Sequence, residues 1–158
     1  NEDAIKGQLK SSAQAVRETT YKGDDAKITA TLDKSWVYMQ RAHLHAGSLG
    51  TTAVALIAVL SFARIGSRAA MTLSAMLGAG GLGYSPYWMW AGFIAPGLGG
   101  TGAAKEALRW LAMPASGMFV VASVATLIIA VASFVLKRGA ETQSARAMSA
   151  SVAPVGGK

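Results

Sequence analysis

The chain has 158 residues, a formal net charge of +7 and no cysteine. Without cysteine it has no disulfide, thiolate metal site, covalently attached c-type haem or cysteine nucleophile. The positive charge does not indicate nucleic-acid binding, since five of the basic residues lie among the six N-terminal acidic residues and no basic patch alternates with base-stacking aromatic side chains.

Acidic residues are concentrated near the N-terminus. Six of the eight lie in the first 33 residues, and after Asp33 the next is Glu106. Between residues 42 and 102 the only charged side chains are those of Arg64 and Arg68. Ionised side chains are costly in hydrocarbon, so a long stretch that avoids them indicates a membrane-embedded chain. We therefore predict an all-α integral membrane helical bundle.

The first predicted elements are a polar segment and two apolar helices. Residues 1–34 are rich in charge and are expected to lie outside the membrane. The first apolar segment covers residues 35–63, of which the last 22 residues would extend about 33 Å as a helix, enough to cross a hydrocarbon core of roughly 30 Å. The second covers residues 69–83, and the glycines and Pro86 that follow predict its end.

The remaining elements are a connection, a third span and a tail. Residues 86–102 are rich in aromatic residues and glycine and are predicted to connect the second span to a short amphipathic stretch. The third span covers residues 115–136, which places the whole transmembrane domain at residues 35–138. The Ser- and Ala-rich segment 139–158 is predicted to be a disordered cytoplasmic tail.

Aromatic and basic residues predict the orientation. With three spans drawn, one membrane face holds seven aromatic side chains: Trp36, Tyr38, Tyr84, Tyr87, Trp88, Trp90 and Trp110. The "RIGSR" turn at 64–68 and the basic pair at 137–138 fall at the other face, which the positive-inside rule makes cytoplasmic. We expect a bacterial inner-membrane protein with a cytoplasmic C-terminus, and upstream of residue 1 either a cleaved signal or a further transmembrane helix.

Both histidines, His43 and His45, lie near the start of the first span. Residues two apart on a helix point about 200° apart, so these imidazoles cannot share one ion. His43, Gly47 and Gly50 instead share one face, at i, i+4 and i+7, which puts an imidazole above a groove with almost no side chains. This face suits either a flat haem with His43 as axial iron ligand or a closely packed helix, and the spacing leaves both open.

Two other patterns are less informative. Two matches to G-x-G-x-x-G, at 78–83 and 97–102, neither follow a strand nor open a βαβ unit, so they do not predict a dinucleotide site. Four methionines are available either as a second iron ligand or as packing side chains: Met39, Met76, Met113 and Met118.

Three short motifs resemble those of the membrane-bound styrene oxide isomerases, small haem b proteins that rearrange aryl epoxides to aldehydes. The motifs are "RAH" at 41–43, "GLGY" at 81–84 and "LAMP" at 111–114. The resemblance implies that His43, rather than His45, is the axial ligand of a haem b iron, and that Tyr84 lies in the active pocket. It also implies four membrane spans, cytoplasmic termini and a homo-oligomer, specifically a trimer.

The chain departs from the family at three places. The family has an asparagine six residues after the ligating histidine that helps to hold the epoxide oxygen, and this chain has Leu49 there. His45 has no counterpart, and the polar N-terminal segment replaces a shorter loop. The fold and the haem therefore transfer to this chain more readily than the reaction does.

Three functions follow as hypotheses. The first is a membrane isomerase in which ferric haem b acts as a Lewis acid on the epoxide oxygen of a small apolar or aromatic substrate. The second is a haem-bearing electron-transfer or accessory subunit of a larger membrane complex. The third is a haem-free structural subunit in which the His43 face only packs against another helix. All three place the chain in membrane lipid, and none involves nucleic acid.

Overall fold

The computed structural model describes residues 2–63 and 65–152, and every regular element in those ranges is a helix. In chain order the helices are α1 (Glu2–Ala15), α2 (Asp25–Phe62), α3 (Ser67–Ile94), α4 (Thr101–Ala107) and α5 (Arg109–Val152). The all-α prediction is therefore confirmed.

Two of these helices, α2 and α5, are long and apolar enough to cross a membrane. Only 17% of the residues in the apolar window of each helix are buried within the chain. The core helix of a soluble protein would be mostly buried, so this exposure favours contact with lipid. On α5 the exposed side chains are large and aliphatic or aromatic, among them Leu127, Ile128 and Phe134.

The third predicted span, α3, does not meet the same criterion within the described residues, so the expected number of spans is not confirmed. Its 28 residues are enough to cross a bilayer in length, at about 1.5 Å per residue. Glycine, serine, tyrosine and tryptophan occupy many of its positions, so no 18-residue stretch of α3 is as apolar as the apolar stretches of α2 and α5.

Pro86 does not end α3, and this part of the prediction is wrong. The helix continues through Pro86 to Ile94, so residues 86–94 are helical rather than a connection. A proline inside a helix removes one backbone donor and crowds the carbonyl four residues earlier, here that of Leu82. The following turns are nevertheless retained because Tyr87 and Ala91 are buried in the core between helices.

The C-terminal part also differs from the prediction. α5 runs to Val152, so residues 139–152 are helical where a disordered tail was expected. Residues 153–158 and Arg64, which belongs to the predicted basic turn, lie outside the described residues. The division into a membrane domain and a tail at residue 138 stays a prediction.

Helix α3 packs against both α2 and α5, and glycines set the closest contacts. A Cβ atom built at Gly80 would lie 2.7 Å from the carbonyl oxygen of Ala115 and 2.7 Å from the backbone nitrogen of Phe119, both on α5. A Cβ atom built at Gly92 would lie 2.8 Å from the carbonyl oxygen of Ser35 on α2. The backbones of three helices therefore approach each other at positions that no larger residue can occupy without displacement.

The polar N-terminal segment is folded back onto the helical bundle. Leu9 and Ala13 of α1 are buried, and the Tyr21 hydroxyl donates a 2.8 Å hydrogen bond to the carbonyl oxygen of Pro96. Arg17 joins α1 to the start of α2 through two 2.8 Å hydrogen bonds to the carboxylate of Asp25. These bonds, with a further one to Glu18, raise the pKa of the Arg17 guanidinium above its usual range. The segment therefore has a defined position beside α2.

We predict that Gly80→Ala destabilises the bundle by about 1–3 kcal/mol, because the added methyl group meets backbone atoms of α5 that cannot rotate away. Gly78→Ala is the matched control, since a Cβ atom there meets nothing within 4 Å. On the same helix it should be neutral or stabilising by about 0.5–1 kcal/mol. Thermal unfolding in detergent, followed by helical circular dichroism, measures both, and equal stability of the two variants would contradict the close α3–α5 contact.

Candidate functional site

His43, Gly47 and Gly50 lie on one exposed face of α2, as their spacing predicts. Apart from the backbone of α2 itself, a Cβ atom built at either glycine meets no atom of the described residues within 4 Å, so the helix surface below the imidazole is open. Three residues continue this face toward the N-terminus of α2 at the same alternating three- and four-residue spacing: Asp33, Trp36 and Gln40. We call the face formed by these six residues the open face of α2.

Next to His43 the open face forms one wall of a groove of about 680 Å³, named the lower groove. Its lining comes from three helices, with Ile5 of α1 and Met89 of α3 beside residues of α2. The α2 residues of the lower groove are Trp36, Met39, Gln40, His43 and Leu44. Apart from the imidazole and the Gln40 amide, these side chains are apolar or aromatic, so the groove suits an apolar body.

His45 lies on the other side of α2, where it contacts α3. Its ring centroid is 5.3 Å from that of Tyr84 and 5.9 Å from that of Trp88. The rings that meet there form an aromatic cluster: Tyr38, His45, Tyr84, Tyr87 and Trp88. The two histidines therefore have different environments, and only His43 is open to a large ligand.

The aromatic cluster contains a polar atom without a partner and a nearby cation. The indole nitrogen of Trp88 is buried and has no hydrogen-bond partner among the described residues. The Arg41 guanidinium lies over the faces of Trp88 and Tyr38, at 5.3 Å and 5.7 Å from their ring centroids. Cation–π contacts of this kind stabilise a charge that lies next to apolar surface. Arg41 of the "RAH" motif thus contacts the aromatic cluster and is not part of the lining of the lower groove.

Tyr84 and Leu49 also lie at the α2–α3 contact. A Cβ atom built at Gly81 would be 3.7 Å from the Cβ of Leu49, so Leu49 packs onto α3 one turn before Tyr84. Tyr84 packs against His45, Tyr87 and Trp88. Within one chain, the structure therefore groups Tyr84 with His45 and places His43 on a different face of α2.

The methionines also differ from one another in their surroundings. Of the four that the sequence offered as second ligands, Met39 lines the lower groove and Met76 packs against the core between α2, α3 and α5. Met113 is exposed on α5, and Met118 is partly buried there. Sequence reasoning missed Met89, because its position beside His43 depends on α3 continuing past Pro86.

A second groove of about 430 Å³, named the upper groove, shares the lining residue Trp36 with the lower groove. The upper groove lies between α1 and the start of α2, in the segment expected outside the membrane. Its lining combines two lysines and one aspartate with apolar side chains: Lys6, Leu9, Lys10, Leu32, Asp33, Trp36 and Val37.

The open face fits a haem on one side. His43 offers an imidazole, the two glycines leave a flat surface beneath a macrocycle, and Leu44 and Met89 provide apolar contact at its edge. A haem iron needs only one such protein ligand. A metal ion held by protein side chains alone needs several of them as ligands. Within the described ranges, no group of three or more His, Asp or Glu side chains is placed to hold a metal ion.

Comparison with known proteins gave no match among family models, curated proteins or solved structures.

Proposed function

We propose that the chain is an integral membrane haem b protein in which His43 is the axial ligand of the iron. The observation that carries the proposal is the open face of α2, where an exposed imidazole stands above two glycines whose surroundings are empty. A helix that only packed against another helix would need the glycines but would gain nothing from an imidazole between them and the apolar groove. Haem b uses all three residues and the groove.

The residues of the site have separate roles in this proposal. When bound, haem b supplies an iron that acts as a Lewis acid toward an oxygen atom. His43 would hold the iron, and the open space at Gly47 and Gly50 would leave room for the macrocycle beside the helix. Leu44 and Met89 exclude water from the groove edge, and the Gln40 amide offers a hydrogen bond next to the imidazole.

The reaction that we propose is the rearrangement of a small apolar or aromatic epoxide to a carbonyl compound, as the resemblance to styrene oxide isomerases implies. One C–O bond breaks, and a hydrogen moves with its electron pair to the neighbouring carbon, so no electron donor is needed. Tyr84 is the proposed catalytic residue, whose hydroxyl donates a hydrogen bond to the epoxide oxygen. Aromatic faces beside it stabilise positive charge that develops on carbon.

The separation of His43 from Tyr84 gives the isomerase a requirement for a second copy. His43 lines the lower groove, whereas Tyr84 packs against His45 on the other side of α2. One site can therefore contain both residues only if one chain contributes His43 and a neighbouring chain contributes Tyr84. This agrees with the trimer that the resemblance implies. Leu49 replaces the family's asparagine near Tyr84, which leaves the tyrosine hydroxyl as the polar group that holds the substrate oxygen there.

The proposal includes a membrane arrangement. α2, α3 and α5 are the three spans, a fourth lies upstream of residue 1, and the C-terminus is cytoplasmic in a bacterial inner membrane. α3 is supported as a span by its length and by its packing between the two apolar helices. The substrate then reaches the site from the lipid phase.

A second candidate is a haem-bearing electron-transfer or accessory subunit of a larger membrane complex. It is favoured by Met89, whose thioether lines the same groove as His43 and comes from a different helix. A second axial ligand closes the iron to substrates and is typical of electron carriers. In that case the docked N-terminal segment provides a surface for a partner protein outside the membrane.

We predict that detergent-purified protein shows a b-type pyridine haemochrome spectrum and that His43→Ala abolishes it. His45→Ala is the matched control and should retain the haem, because that imidazole is occupied in the aromatic cluster. Loss of haem in His45→Ala alone would place the cofactor at the α2–α3 contact instead. Protein that stays colourless after haem supplementation would leave the structural subunit as the function.

The spin state separates the two haem functions. For the isomerase we expect a five-coordinate, high-spin ferric haem whose absorption spectrum is unchanged by Met89→Leu. A six-coordinate, low-spin spectrum that becomes high-spin in Met89→Leu would instead identify Met89 as the second ligand and support electron transfer.

Catalysis is tested at Tyr84. We expect Tyr84→Phe to lower the rate of aryl epoxide conversion by about 100-fold, with haem content unchanged, because it removes one hydrogen-bond donor to the substrate oxygen. Tyr87→Phe is the control in the same cluster. Co-expression of His43→Ala with Tyr84→Phe should restore part of the activity, since mixed oligomers then contain complete sites, and failure of both tests would remove Tyr84 from the mechanism.

A further inference from the structure

The upper and lower grooves share one lining residue, Trp36, with charged side chains in the upper groove and mainly apolar ones in the lower groove. Lys6 and Lys10, one turn apart on α1, line the upper groove, in the segment that the proposed arrangement puts outside the membrane. His43 lines the lower groove, two helical turns from Trp36 along α2. Such a surface is complementary to an anionic amphiphile whose charged groups face water and whose body lies along apolar side chains.

Distances along α2 match a single ligand that reaches both ends. The Lys6 ammonium lies 4.8 Å from the centre of the Trp36 ring. Trp36 and His43 are seven residues apart, which is about 10 Å along a helix. A ligand fixed at His43 and extending past Gln40 along the open face therefore comes within reach of the two flexible lysine side chains.

We propose that Lys6 and Lys10 bind the two carboxylates of the haem that His43 holds, so that α1 is a part of the cofactor site. This inference rests on the proposed function, in which His43 ligates haem b. Haem carries two carboxylates on one edge of an otherwise apolar macrocycle. In a membrane protein these carboxylates need water or cations, and the charged end of the grooves offers both.

The acidic groups near the lysines affect the strength of this contact. Glu2 forms a 2.5 Å ion pair with Lys6, and Asp33 lines the upper groove. The Glu2–Lys6 pair is largely exposed, so its exchange for a haem carboxylate costs little. Asp33 repels a carboxylate at the same place, so Asp33→Asn should strengthen haem binding.

The position of α1 makes the lysines a fixed part of the site. α1 is held on α2 by its buried residues Leu9 and Ala13 and by the Arg17–Asp25 ion pair. Lys6 and Lys10 themselves are exposed, so replacing them leaves these packing contacts in place. A variant without the two ammonium groups therefore keeps the buried contacts of α1 with α2, although it loses the contact between the Lys6 ammonium and the Trp36 ring.

The experiment is a titration of the haem-free full chain in detergent, followed by absorbance, with haem and with haem dimethyl ester in parallel. The ester has the same macrocycle and iron but no carboxylate charge. We expect Lys6→Met/Lys10→Met to weaken haem binding by roughly tenfold and to leave binding of the ester unchanged. Added salt should likewise weaken the binding of haem more than that of the ester.

Two controls make the result specific. Lys105→Met removes the same charge from an exposed position on α4, outside both grooves, and should not change the affinity for either ligand. His43→Ala defines non-specific uptake of the two macrocycles by detergent and should bind neither ligand specifically.

The outcomes distinguish this inference from the proposed function. If the wild type binds haem and the double variant binds it equally well, or loses haem and ester together, the lysines do not bind the carboxylates, although His43 remains the ligand. The same conclusion follows if Lys105→Met weakens haem binding as strongly as the double variant. If the wild type binds neither ligand better than His43→Ala does, both the inference and the proposed function are wrong.

Discussion

The contact between α2 and α3 determines the rest of the site. At one end it brings the Ser35 carbonyl of α2 against the backbone of α3 at Gly92, and at the other it buries Ala53 and Leu60 against Leu77. These contacts fix the rotation of α2 about its axis. Once His45 points toward α3, helical geometry directs His43 to the opposite side. The open face is thus a direct consequence of how the core packs.

Much of this arrangement could be predicted from the sequence because it depends on local periodicity. The length and apolar character of α2 and α5, and the separation of the two histidines onto different faces, need only the 3.6-residue repeat. The continuation of α3 past Pro86 could not be predicted, because it depends on burial of Tyr87 and Ala91 between helices that are distant in sequence. Tertiary packing there outweighs a local signal for a break.

The contribution of α1 to the two grooves could not be predicted from the sequence for the same reason. Its sequence shows a polar helix, and nothing local indicates that Ile5 and Lys6 lie beside residues of α2 that are 26 to 39 positions later. Met89 was missed because its place in the groove follows from the uninterrupted α3. Each motif or spacing consequently identified residues that lie together on one helix. The residues that complete the lower groove beside α2 come from other helices.

The hydrogen bond from Tyr21 to Pro96 has a consequence for how the chain enters a membrane. Tyr21 precedes α2 and Pro96 follows α3, and the two are 75 residues apart in sequence. The bond can form only when both residues are on the same side of the bilayer, which requires α2 and α3 to insert as a hairpin or not to insert at all. The Tyr21–Pro96 bond and the Met89 wall of the lower groove therefore form only after α3 has been synthesised, later than the contacts between α1 and α2.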